Sequence, residues 1–448
     1  MSALAWPPAV RGRRLVWGAG VALTLGALLL TAFAVIADSG EDRPADTGPL
    51  RVAYFADWNV ANRGYTVADI GDSGAAARLD RILWAFGDVG ADGRCHVSEA
   101  TGQPWELYQR RYTPDESVDG SADSYRQPLA GSLHQLRLLR ERTPGLGASI
   151  SLGGWNWSRY FSEAVRTEES RAALVSSCID LWLRGDLPRL GGEPQGGPGA
   201  AAGVFNGIDL DWEWPVGGGN AHNTTHPGDR RNLTLVAEEF RRRLDALEAE
   251  TGERYTLSVS LANAEAVIAA AYEPELFEHV DFATVQGYDL TGPWSDTTSP
   301  HSQLYAPEGA PDAASVDRAV QRYLALGLPP EKLVVGFPGF GRGWAGVPPQ
   351  GFGRFAPAQG PAPGAYGEGT DSYADLEQRP GQRFLDPVSG GYWIYDGDQW
   401  WSYDTPEVVA LKGAYVRDNG LAGMMLWNLD MDPRGELVAA MDTALRGG

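Results

Sequence analysis

Positive charge is in short supply in this chain. Against 58 Asp and Glu stand 37 Lys and Arg, giving a formal net charge of −21. Binding a polyanion needs a basic face, so nucleic acid is excluded as a partner. Cysteine is scarcer still. Cys95 and Cys178 are the only two, enough for one disulfide but not for a disulfide framework. Cys178 lies in the helical pattern "RAALVSSCIDLWLRG", where a buried free thiol is an equal reading. The six histidines are scattered, and no Cys/His group has metal-ligand spacing. No metal and no cofactor are expected. His222 and His226, the nearest pair, sit in a Gly/Asn/Thr-rich loop that surface polarity explains.

Long uncharged runs are also lacking, with one exception at the N-terminus. Arg11, Arg13 and Arg14 precede "LVWGAGVALTLGALLLTAFAVIA", 23 uncharged residues from 15 to 37. A cleaved signal has an apolar region of about 7–15 residues, and a spanning helix needs about 20. Length favours a hydrophobic anchor helix, with membrane attachment through residues 15–37. Val35 and Ala37 fit a cleaved signal peptide instead, and both readings stand. Either way the arginines stay inside and the rest is exported. Residues 38–49 read as an acidic linker with Pro and Gly.

What the chain does have is 43% apolar residues and sixteen tryptophans. From residue 50 onward, eight short apolar runs alternate with amphipathic segments. They are "RVAYFADW", "RILWAFGDV", "GASISLGGW", "GIDLDWEW", "YTLSVSLAN", "FATVQGYDL", "KLVVGFPGF" and "LAGMMLWNL". Such runs suit strands of a parallel sheet buried on both faces. In "NLTLVAEEFRRRLDALEAETG", Leu233, Val236, Phe240, Leu244 and Leu247 recur at helical spacing, and Gly252 closes the segment. "SVDRAVQRYLALGLPPEKL" gives another helix. The sum is α/β, a (β/α)8 barrel over 50–448. One gap is too long for a loop. Between strands seven and eight, residues 343–405 hold aromatics broken by Gly/Asp turns. They predict a small α+β insertion beside the C-terminal face, where barrel active sites lie. A monomer is expected.

Strand four carries the densest chemistry. In "FNGIDLDWEWP", Asp209, Asp211 and Glu213 share one face of the strand, and Ile208, Leu210 and Trp212 share the other. The apolar set needs the helices, so the acids face the barrel interior. They climb by about 6.6 Å per pair, and Pro215 ends the strand with Glu213 at the mouth. Crowded, buried carboxylates push one another's pKa upward. A raised pKa lets a carboxylic acid hold a proton near neutral pH and donate it.

"NGIDLDWE" resembles the Asp-Gly-x-Asp-x-Asp-x-Glu signature of the chitinase-type glycoside hydrolases, family 18, at every position but the first. "SLGG" on strand three, "QGYDLTGPW" on strand six, "GFPGFGRGW" on strand seven and "GMMLWNLDMD" on strand eight are similar too. "WWSYDTPEVVALK" resembles part of the α+β insertion that many members carry. The resemblance spans about residues 50–445. It implies hydrolysis of β-1,4 bonds in chitin or chitooligosaccharides, with the sugar's own N-acetyl carbonyl as nucleophile and retention at the anomeric carbon.

The resemblance also implies roles. Glu213 is the general acid and then base. Asp211 orients the acetamido N–H, Asp209 shares a proton with Asp211, and Tyr288 fixes the acetamido oxygen. Asp289 binds sugar hydroxyls, Gln286 lines the acetamido pocket, and Trp427 forms the floor under the distorted sugar. Trp58, Trp155, Trp294 and Trp344 stack on further sugars or pack in the core. Ser151 and Gly153 pack beneath the acids. Three positions depart from the pattern: Asn206 for the first Asp, Gln286 for Met, and Phe340 for Tyr. An amide at 206 that reaches Asp209 would donate to it without adding charge.

Overall fold

In the computed structural model, residues 48–97, 103–308, 310 and 312–447 are described. The expected N-terminal apolar helix, 15–37, lies outside them. Among the described residues no helix is long and apolar enough to cross a membrane.

Eight parallel strands close into a barrel. In chain order they are strand one Leu50–Ala56, strand two Arg81–Val89, strand three Gly147–Gly153 and strand four Gly207–Asp211. Strand five is Thr256–Leu261, strand six Phe282–Val285, strand seven Leu333–Pro338 and strand eight Gly423–Trp427. Each pairs with the next, and strand eight returns to strand one with Leu50 opposite Gly423. The long helix after strand four runs Asp229–Thr251 and buries Leu233, Val236, Phe240, Leu244 and Leu247, the stripe the spacing predicts. Gly252 follows in the left-handed region, φ 77°.

Two apolar layers result. Outer-facing strand residues such as Ile208, Leu210 and Trp212 join the helices in the larger core. The inner cluster holds Val52, Leu83, Phe282, Val334 and Met425. Strand four departs from this inner pattern by turning three acids inward. Strand three comes close enough to it that only glycine fits: a Cβ on Gly153 would lie 2.5 Å from the Asp211 carbonyl oxygen.

Between strand seven and the helix Pro406–Asp418, a second, antiparallel sheet is built from Phe340–Ala345, Gly360–Pro361, Thr370–Ser372, Gln382–Asp386, Gly391–Tyr395 and Trp400–Ser402. It carries its own aromatic core of Trp344, Trp393, Tyr395 and Trp400. Its junction with the barrel is tied by a buried ion pair between Lys412 and Asp404, the latter also accepting from Ser302. Cys95 and Cys178 are joined in a disulfide across a sequence separation of 83, which settles the choice the sequence left open. In the chain-entropy picture a loop of that length is worth about 4–5 kcal/mol.

Candidate active site

The three acids grow less buried toward the mouth: Asp209 is 0% exposed, Asp211 2% and Glu213 8%. Asp209 is caged by hydroxyls. Tyr54 Oη donates to its Oδ2 at 2.9 Å and Ser151 Oγ to the same oxygen at 2.7 Å, while Ser258 Oγ donates to Oδ1 at 2.6 Å. Burial still raises its pKa, while these donors and the Arg81 charge pull it down. Asp211 has less support. Its Oδ1 is buried with no hydrogen-bond partner among the described residues. Burial, then Glu213 and Asp209, push its pKa well up. Glu213 is pushed up to about 8 by burial, with the Gln286 amide pulling down and Asp289 pushing up. Its backbone N–H donates to Ser158 Oγ at 3.0 Å and its carbonyl accepts from Asn223 Nδ2 at 2.6 Å. The backbone holding the acid is thereby fixed from two loops.

Two cavities meet at Glu213. The larger, about 710 Å³, also touches Asp211, Gln286, Tyr288, Asp289, Trp294 and Arg342. The smaller, about 360 Å³, is walled by Trp58, Phe86, Trp155, Trp157 and Trp427. Trp427 borders both. Its ring packs on Tyr54 at 4.9 Å and stacks on Phe86 at 5.8 Å, so the floor beside the acids is rigid. The Ala85–Phe86, Glu213–Trp214 and Trp427–Asn428 peptides around it are cis.

Past strand six, Tyr288 is held by Asn263 Nδ2, which donates to its carbonyl at 2.6 Å, and by edge-on packing against Phe340 at 5.7 Å. Burial, then Asp211 and Glu213, keep its hydroxyl protonated. Asp289 adopts φ 55°, a left-handed conformation that only a few non-glycine residues take. Arg342 holds it there with two bonds, Nε to Oδ1 and Nη2 to Oδ2, both 2.7 Å. Burial works to raise its pKa, but the Arg342 and His301 partners carry it far below the usual carboxylate range. Asp289 is thus an anion at any working pH.

The tryptophans divide. Trp155 is 50% exposed and Trp294 64%, both at the rim. Trp58 is half-buried and stacks on Phe86 and Trp157 at 5.9 and 5.8 Å. Trp344 corrects the reading as a sugar platform. It is fully buried in the insertion, its indole N–H donating to the Ser295 carbonyl at 3.0 Å. Asn206, which the sequence left open, turns its Oδ1 to the barrel floor, accepting from Arg81 at 3.1 Å and from the Ala148 N–H at 3.0 Å. Ser151 does more than pack, since it donates to Asp209. Sequence reading missed Tyr54, Phe86, Trp157, Asn263 and Arg342. Tyr54 was within reach, as the one polar inward residue of strand one's alternation.

The profile of Glycosyl hydrolases family 18 matches residues 51–432. Chitinase 63 of Streptomyces plicatus is 33% identical over 91% of this chain and 62% of its own length. Chitinase C of Streptomyces lividans is 33% identical over 87% of this chain and 58% of its own. This chain therefore spans about six-tenths of those curated relatives. The solved catalytic domain of psychrophilic chitinase B from Arthrobacter TAD20 is 40% identical, with a TM-score of 0.85 over 90% of this chain and 96% of that one. With a closed parallel barrel, the acid series on strand four and a match over most of its length, the chain belongs to the glycosyl hydrolases of family 18.

Proposed function

We propose that this chain hydrolyses β-1,4 bonds between N-acetylglucosamine units of chitin and chitooligosaccharides, with retention and with the substrate's acetamido oxygen as nucleophile. The observation that carries this reading is that, among the described residues, neither carboxylate beside Glu213 is free to attack. Asp211 is buried, and burial together with Glu213 and Asp209 drives its pKa well up, which disfavours the anion that would have to attack. Asp289 is an anion clamped by Arg342. A retaining enzyme without a free second carboxylate needs a nucleophile from the substrate.

The steps follow from placement. Glu213, protonated below about pH 8, donates to the glycosidic oxygen as the anomeric C–O bond breaks. The acetamido carbonyl oxygen closes on the anomeric carbon, giving an oxazolinium ion. Asp211 turns its unpartnered oxygen to the acetamido N–H, and the Tyr288 hydroxyl positions the carbonyl. Glu213, now a carboxylate, takes a proton from the water that opens the ring. Trp427 and the rim residues Trp155 and Trp294 offer faces to sugar rings. Trp58 contributes a partly covered face.

Two cavities meeting at the acid fit a chain that extends both ways, so internal cleavage is part of the proposal. A run of charge-free residues at 15–37 and a disulfide support export, because disulfides persist in oxidising compartments. Timed digestion separates this reading from an endo-β-N-acetylglucosaminidase on N-glycans. Chitin hexamer should be cut and a high-mannose glycoprotein left intact; the reverse pattern overturns the proposal. Oligomer binding with no turnover in the wild type would instead favour a non-catalytic sugar-binding protein.

A further inference from the structure

A cation sits below the acids at the barrel floor. Arg81 opens strand two, and Leu83 and Ala85 on the same alternation belong to the inner cluster, so Arg81 also faces inward. Its Nη1 donates to Ser149 Oγ at 3.0 Å and Asn206 Oδ1 at 3.1 Å, and its Nη2 to Thr256 Oγ1 at 2.7 Å. Ser149, Gly207 and Thr256 stand two residues before Ser151, Asp209 and Ser258 on their strands. The guanidinium is therefore one inward layer beneath Asp209, about 6.6 Å along the strands. Glycines make the room. A Cβ on Gly147 would lie 2.7 Å from Arg81 Cζ, and one on Gly207 would lie 2.9 Å from Arg81 Nη1. The glycine within the acid motif thus seats the cation.

All three of these acceptors are neutral. The charges felt by Arg81 are Arg140, Asp281, Asp80 and Asp209. Asp80 is paired with Arg51, and Asp281 with Arg241 and Arg254. Burial lowers the Arg81 pKa to about 10, which leaves it a cation at neutral pH. Around Asp209, strand one supplies Tyr54, strand two Arg81, strand four Asp211, and the turn after strand six Tyr288; strands three and five supply only Ser151 and Ser258. Strands seven and eight bring apolar Val334 and Met425. Arg81 is the one cation in that set.

We propose that Arg81 is a positioning residue for the acid series: its charge, hydrogen-bonded at the floor to the neutral side chains Ser149, Asn206 and Thr256, holds Asp209 as the anion and leaves the proton to Asp211 and Glu213 above. Asn206 belongs to the same device. A carboxylate at 206 would pair with Arg81 and cancel the field at Asp209. The proposal rests on Glu213 as the acid, but its test does not need turnover.

Three variants decide it: Asn206→Asp, Arg81→Met and Arg81→Lys. The first readout is titration of ¹³C-labelled Asp and Glu carboxyls in the ligand-free chain. The second is the alkaline limb of kcat on a chitin hexamer. Asn206→Asp and Arg81→Met should move the carboxyl titrations and the limb upward by about half a unit to one unit, the size expected of a charge at this range. Arg81→Lys, which keeps the charge, should restore most of the wild-type position. Unmoved titrations in a folded Asn206→Asp variant overturn the proposal, as does a downward shift. If Arg81→Met fails to fold, Asn206→Asp decides alone. If the wild type cuts no chitin oligomer, the functional reading falls, and the carboxyl titration still judges Arg81.

Discussion

The two cavities that meet at Glu213 are built by different means. The smaller is a wall of rings that hold one another: Trp58, Phe86, Trp157 and Trp427 pack, some stacked and some tilted, within 6.5 Å centroid to centroid. Its shape comes from packing, and it offers flat apolar faces. The larger is framed by charge and hydrogen bonds. Arg342 clamps Asp289 and also donates to Thr370 Oγ1 at 2.5 Å, and Arg342 and Thr370 both stand on insertion strands. Its precision depends on a second sheet as well as the barrel. Rings can be trimmed one at a time with graded loss, whereas a clamped anion stranded without its cation should fail sharply.

The largest effect is expected where the two cavities join. Glu213→Gln should lower kcat by about 10²–10⁴-fold, the range for a general acid, while calorimetric binding of a chitin oligomer persists. Trp344→Ala should cost about 3–5 kcal/mol of stability by denaturant unfolding, as for a buried large-to-small change. The loss in kcat/KM should follow only where the second sheet loosens. Arg342→Met should lower kcat/KM on the order of 100-fold, as misplaced positioning groups do. Trp294→Ala should weaken oligomer binding by about tenfold, ~1.4 kcal/mol, with Tm unchanged. Trp58→Ala should lower Tm as well, since its ring packs on both Phe86 and Trp157. Equal Tm losses from both would erase the distinction between the two cavities.

The smallest effect is in pH. A carboxylate whose folded pKa is raised contributes stability that is full below its unfolded pKa and lost as pH rises through the folded value. For Glu213 that window runs from about 4.5 to about 8. Glu213→Gln removes the ionisation, so its Tm gain over wild type should be near zero at pH 4 and grow to about 2–4 °C by pH 8. Scanning calorimetry across that range checks it.

The barrel and the acids were legible because both rest on period. Apolar runs at regular spacing marked eight strands, and alternation in "GIDLDWEW" fixed which side chains turn inward. What was not legible depends on contacts between distant segments. Nothing in the local sequence separates Trp344 from Trp294, yet one is buried under the second sheet and the other is 64% exposed. Arg342 stands in "GFGRGW" with no local sign that it meets Asp289, 53 residues earlier. Whether Asn206 reaches Asp209 could not be read from the sequence, because the Arg81 that its Oδ1 accepts from stands 125 residues earlier.

The central claim is that the substrate supplies the nucleophile while Glu213 handles the proton. The most direct measurement is the anomeric form of the product as it leaves a chitin hexamer, followed by proton NMR in the first minutes of digestion. A fresh β-anomer, converting slowly to the equilibrium mixture, is the result this account predicts. A fresh α-anomer would mean inversion by direct attack of water, and would contradict it.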